Sequence, residues 1–187
     1  LGEPTIHPQF DQFIEYAFAE NFNNRLFREF KLHTNAIVFN VERIKLLIRL
    51  ANLPNMAADT FRFIHFSIDA FSAESYQEVK GSDKRELVYR NVENFLRIRE
   101  SIGMQLPKAA IAFVVQDDNS HEAVAFRDYW TGILKELNLE FDISSDWPNK
   151  IMDTLYFRRL NAGNQKRADA LHATAIRELG LEAQPRK

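Results

Sequence analysis

The sequence predicts an α/β protein built on a parallel sheet, and three observations lead there. Segments with the 3.6-residue period of a helix alternate with segments of strand character, in the order helix, strand, helix, strand, helix, strand, helix, strand, helix. One strand segment, Ala109 to Val115, is apolar at nearly every position, as expected where both faces of a parallel strand are covered. With 45% apolar residues in 187, the chain is also long enough to bury one substantial core.

After Pro8, which suits a first helical turn, Phe10, Phe13, Ile14, Ala17 and Phe18 mark the apolar face of a first helix. Phe27 to Asn35 then alternates: Phe30, Leu32 and Thr34 face one side, Lys31, His33 and Asn35 the other. Ile44, Leu47, Ile48 and Ala51 form the next helical stripe, with Asn40 as N-cap and Pro54 as stop. Phe61 to Asp69 is aromatic and β-branched, and its last positions, Ser67 and Asp69, share a face. Val88, Val92, Phe95 and Leu96 define a helix over Arg85 to Ile102, with Gly103 placed for a left-handed cap. The strand at Ala109 to Val115 runs into Gln116-Asp117-Asp118-Asn119. Asn119 and Glu122 have capping-box spacing for a helix whose core face is Phe126, Trp130, Ile133, Leu134 and Leu137. Leu139 to Ile143 reads as a further strand. Beyond Asp146-Trp147-Pro148 periodicity is lost until about Asn164, where Ala168, Leu171, Ala175 and Leu179 begin a last helix ended by Gly180. Glu182 to Lys187 reads as a frayed tail. Residues 1–146 therefore form the core, and 147–187 a C-terminal extension ending in a helix. An open doubly wound sheet and part of a (β/α) barrel both fit this order, and both put function at the C-terminal ends of the strands.

Composition narrows the function. Twenty-four Lys plus Arg against 26 Asp plus Glu leave a charge of −2, with no field to attract nucleic acid or an anionic membrane. The chain has no cysteine, hence no disulfide, thiolate nucleophile or thiolate ligand for zinc or iron–sulfur. No apolar run has transmembrane length and the start does not read as a signal peptide, so a soluble, cytoplasmic protein is the expectation. Because residue 1 is Leu and leads straight into Gly2-Glu3-Pro4, the chain reads as the remainder of a longer one. No nucleophile elbow, P-loop or Gly-x-Gly-x-x-Gly fingerprint is present.

Four sets of residues are candidates for chemistry. Gly2 lets backbone approach a ligand, and Glu3 beside it can accept from an ammonium group, although Gly-Glu-Pro is also an ordinary turn. Ser67 and Asp69 would offer a hydroxyl and a carboxylate to a polar ligand, or cap the turn that follows. His33 and His65 share the parity of Asn35 and Ser67. With Asp69 and Glu3 they would compose a hydrolase-like metal site, against the simpler reading of hydrogen-bonded structural histidines. Arg97, Arg99 and Arg158-Arg159 read as solvated faces or carboxylate partners.

In order along the chain, several segments resemble the radical S-adenosylmethionine (radical SAM) superfamily. Gly2-Glu3-Pro4-Thr5 is similar to its Gly-Gly-Glu-Pro segment after the second barrel strand. Leu32-His33-Thr34-Asn35 is similar to the end of the third strand. Phe66-Ser67-Ile68-Asp69-Ala70, with Tyr76 to Gly81 and the helix containing Asn91 to Leu96, is similar to the fourth. Phe113-Val114-Val115-Gln116 with Asn119 and Glu122 is similar to the fifth. The Ser67 to Asp146 region looks closest to members that carry a SPASM-type C-terminal domain. The resemblance implies a partial (β/α) barrel whose intact form, on a 4Fe-4S cluster, reductively cleaves S-adenosylmethionine. The 5′-deoxyadenosyl radical so formed would take hydrogen from a peptide or small-molecule substrate, with an electron donor as partner. It implies that Gly2 and Glu3 hold the methionine amino group, that Asn35 and Ser67 face the cofactor with Asp69 in support, and that Lys80 pairs with the carboxylate. The family's Cys-x3-Cys-x2-Cys loop would precede Gly2 and is not in this sequence. The expectation is thus an inactive fragment with neither cofactor bound, and self-association as a homodimer through an exposed barrel edge. Two alternatives stay open: a barrel metal-dependent hydrolase or isomerase, and a non-catalytic binding scaffold.

Overall fold

A computed structural model describes residues 2–54, 57, 60–145 and 147–182. Expectations placed on Leu1, Asp146 and the tail after Glu182 fall outside those residues. Six α-helices are described: α1 (Phe10–Asn24), α2 (Val41–Ala51), α3 (Ala73–Lys80), α4 (Arg85–Ser101), α5 (Ala123–Glu136) and α6 (Gln165–Glu178). Five strands, β1 (Leu32–Thr34), β2 (Phe63–Ser67), β3 (Lys108–Val115), β4 (Phe141–Ser144) and β5 (Asp153–Arg159), form one sheet of order β1-β2-β3-β5-β4. Every strand pair is parallel. The α/β class with a parallel sheet is therefore as the sequence predicts.

Local chemistry fixes most helix ends where the sequence places them, while the strands expected over Phe27 to Asn35 and Phe61 to Asp69 shorten to Leu32–Thr34 and Phe63–Ser67. Asn40 Oδ1 accepts from Arg43 N at the start of α2, and Asn164 does the same for Arg167 N at α6. Gly103 and Gly180 follow their helices at φ +69° and +70°, the left-handed region that costs glycine little. The short helix α3 lies where no helix is predicted: Ser72 Oγ caps it by accepting from Ser75 N, and Gly81 ends it at φ +65°.

Three sequence readings need correcting. Phe13 does not join the core face of α1: it is 56% exposed, because the buried stripe runs through Phe10, Ile14 and Phe18, one helical turn apart. The Asn119/Glu122 pair is not a capping box. Asn119 makes no cap bond and instead donates from Nδ2 to the carbonyls of Asp69 and Val114, while Glu122 accepts from Phe71 N and Ser72 N before α3. Finally, the stretch in which periodicity is lost contains β5, which lies between β3 and β4. Asp153 to Phe157 are buried without a break, so no alternation marks the strand. Its place also departs from the sequential strand order of a (β/α) barrel, since β4 moves to the sheet's outer edge.

The two faces of the sheet differ. Leu32, Ile64, Phe66, Ile111, Phe113, Leu155 and Phe157 point into one core cluster to which all six helices contribute. The opposite faces of β2, β3 and β5 hold a separate small cluster, Ala110, Ala112 and Tyr156 with Phe63, which contains no helical residue. The helices that contribute to the core thus pack on one face of the sheet, whereas a doubly wound sheet is covered on both. Among the described residues no helix is long and apolar enough to cross a membrane.

Candidate functional site

The uncovered face and the C-terminal ends of its strands collect the polar side chains. At the end of β1, the 3-10 turn Pro4–Ile6 carries Glu3 as its N-cap. Glu3 Oε1 accepts from Thr5 N (3.0 Å), Thr5 Oγ1 (2.6 Å) and Thr34 Oγ1 (2.9 Å), and Oε2 accepts from Asn35 N (2.6 Å). The carboxylate thus ties the start of the chain to the end of β1. Asn35 Oδ1 in turn accepts from Ile37 N, shaping the loop before α2. Gly2 is exposed beside Glu3.

At the end of β2, Asp69 has φ +63°, a left-handed conformation that aspartate tolerates better than most side chains. The bend turns its carboxylate back over the sheet. Oδ1 accepts from Val114 N at 2.8 Å, joining β2 to β3, and Oδ2 accepts from Ser67 Oγ at 2.9 Å and Lys80 Nζ at 2.5 Å. Lys80 also donates to Ser67 Oγ at 3.2 Å. The Asp69 backbone is held from both sides, its N donating to Ala112 O and its O accepting from Asn119. Tyr76, one turn before Lys80 on α3, is fully buried, and its hydroxyl has no partner among the described residues. Burial first, and the Asp69 carboxylate second, push that phenol up to about 12.

In the middle of the face, His33 and His65 are paired across β1 and β2, and their rings stack nearly parallel with centroids 4.1 Å apart. His65 Nδ1 shares a hydrogen bond of 2.9 Å with Tyr156 Oη from β5. Burial first, then His33, Arg158 and Lys31, lower the His65 pKa to about 3, so the ring is neutral near pH 7. Burial, Arg158 and Lys31 lower His33 as well. Arg158, two residues after Tyr156 and on the same face, is half-buried with its guanidinium 5.6 Å from the Trp147 ring centroid.

The structure gathers Ser67, Asp69 and Lys80 into one hydrogen-bonded cluster and sets Gly2, Glu3 and Asn35 at the neighbouring strand end. It does not bring His33, His65, Asp69 and Glu3 together. Both carboxylates are engaged by other donors, and stacked imidazoles point their nitrogen lone pairs alongside each other rather than toward one point. Among the described residues no three His, Asp or Glu side chains are gathered for a metal ion. Tyr156 is absent from the sequence reading, Trp147 and Tyr76 carry no site role in it, and Arg158 is read there as a solvated face or a carboxylate partner. The one available signal was the two-residue spacing Thr154, Tyr156, Arg158. Comparison of the chain with protein-family models gives no match, and comparison with curated proteins gives none.

Proposed function

We propose that this chain is part of a radical SAM enzyme, a partial (β/α) barrel whose strand ends bind S-adenosylmethionine and whose uncovered face receives a small-molecule or peptide substrate. The observation that carries this reading is the pair of polar nodes, Glu3 with Asn35 and Ser67-Asp69-Lys80, at the C-terminal ends of the adjacent parallel strands β1 and β2. The C-terminal strand ends are where (β/α) folds place their sites, and the helix-free face adjoins these nodes.

The donors and acceptors suit the amino-acid end of S-adenosylmethionine. Glu3 Oε2 accepts one hydrogen bond and keeps an acceptor position for an ammonium group. Lys80, held by Asp69 and Ser67 but 20% exposed, keeps an N–H for a carboxylate. Asp69 is saturated by Ser67, Lys80 and Val114 N, so its work is to fix Lys80 and the strand end. Bound S-adenosylmethionine supplies the 5′-deoxyadenosyl group of the family's chemistry. The 4Fe-4S cluster does not fit these residues: with no cysteine, the chain holds no thiolate for it, and its own contribution is binding and orientation.

Titration calorimetry with S-adenosylmethionine tests the reading. The expected result is saturable binding that Lys80→Met and Glu3→Gln each weaken about tenfold, roughly 1.4 kcal/mol. Thermal melts of both variants separate lost binding from lost folding, since Glu3 also anchors the chain start. Absence of binding at millimolar ligand, or equal binding by folded variants, overturns it.

A further inference from the structure

We infer that Arg158, seated against Trp147 on the uncovered sheet face, is the anchor for a small substrate that carries a carboxylate. This rests on the reading that the same face is the substrate side of the site. The geometry is that of a recognition point. Arg158 is half-buried, projects from the face of β5 that no helix covers, and has no carboxylate partner among the described residues. Other arginines of comparable or greater burial do have one: Arg99 pairs with Asp153, Arg43 with Asp11 and Arg85 with Glu86. A guanidinium taken partly out of water without a counter-ion is costly, and an arriving carboxylate would satisfy it with two parallel N–H bonds.

The surroundings favour an anion with a flat or apolar body. The Trp147 ring lies against the guanidinium, and Ala110 and Ala112 leave the floor of the face low where a larger residue would fill it. Tyr156 and the stacked His33 and His65 lie alongside, the pKa of each imidazole lowered by burial first and by the nearby Arg158 and Lys31. The neutral His65 ring adds no charge to the face. Two acids on this face are engaged elsewhere, Asp69 by Lys80 and Asp142 by Asn149, and neither pairs with Arg158 among the described residues.

Tryptophan fluorescence offers a direct test, because Trp130 is fully buried while Trp147 is 61% exposed beside Arg158. Titration with glutarate should change the Trp147 signal saturably, at least tenfold more weakly in Arg158→Gln and to an intermediate degree in Arg158→Lys. The uncharged glutaramide should produce no change. No saturable change with glutarate, an equal response in folded Arg158→Gln, or an equal response to glutaramide or sodium chloride overturns the inference. So does tighter binding of inorganic phosphate than of glutarate, which would make the site a phosphate site. S-adenosylmethionine calorimetry on the same samples reads the underlying proposal separately, because it depends on Glu3 and Lys80 and not on the Trp147 signal.

Discussion

His65 illustrates how one buried side chain couples the sheet face to pH. Its pKa in the folded chain, about 3, lies below its ordinary 6.5, so between these values the unfolded chain binds more protons than the folded one. The contribution of the neutral ring is therefore complete above pH 6.5 and is lost as pH falls toward 3. By pH 5 the expected loss is about 2 kcal/mol, before most carboxylates titrate. Urea unfolding at pH 7.5, 6 and 5 should show this decline, and His65→Gln should flatten it. An acid limb equally steep in the variant would place its origin elsewhere. The neighbouring residue Asp69 makes a related point about what sequence conveys. Its identity suggests a carboxylate at a strand end, but only its left-handed backbone and its bonds to Ser67, Lys80 and Val114 N turn it into the organiser of that end.

At the scale of elements, the opposite end of the sheet is fastened by a buried ion pair. Arg99 of α4 donates to both Asp153 carboxylate oxygens, at 2.8 and 2.5 Å, and to Pro107 O, and Asp153 also accepts from Ala109 N. A helix end and the starts of β3 and β5 meet at one point. Both side chains are almost fully buried, so removing one partner strands a charge in the core. Asp153→Ala is expected to cost about 3–5 kcal/mol in chemical denaturation, largely independent of salt, and Arg99→Met with Asp153→Leu less than that. A loss below 1 kcal/mol in the single variant would show that water reaches Arg99. The sequence reading leaves Arg99 as a solvated face or a carboxylate partner, and the structure makes it the latter, with an acid fifty-four residues away that the helical period cannot name. Caps and stops are legible for the opposite reason. Asn40, Asn164, Gly103 and Gly180 act within a few residues of their own position.

For the whole molecule, the decisive feature is that β5 lies inside the sheet, paired with β3 on one side and β4 on the other. Its C-terminal half also receives α6, where His172 Nε2 shares a 2.9 Å hydrogen bond with Phe157 O. A chain ending after residue 145 would expose the β3 edge and the apolar sides of Phe113 and Phe126 that meet Phe157. Such a truncation is expected to lose cooperative unfolding and to aggregate. A sharp thermal transition with monomeric scattering would instead make residues 147–182 an addition to an independent unit.

The α/β class, the parallel sheet and most helix ends were determined by the sequence alone, because period, apolar runs and caps are local properties of the chain. Its motifs also selected Glu3, Asn35, Ser67 and Asp69 near strand ends, and the family resemblance added Lys80, which closes α3. Tertiary structure alone decided which strands are neighbours, that helices cover one face, that the histidines stack rather than converge, and that Arg158 lies next to Tyr156 and Trp147 on the open face. Those facts depend on contacts between residues far apart in the chain, and a continuously buried strand such as β5 carries no alternation from which to read them.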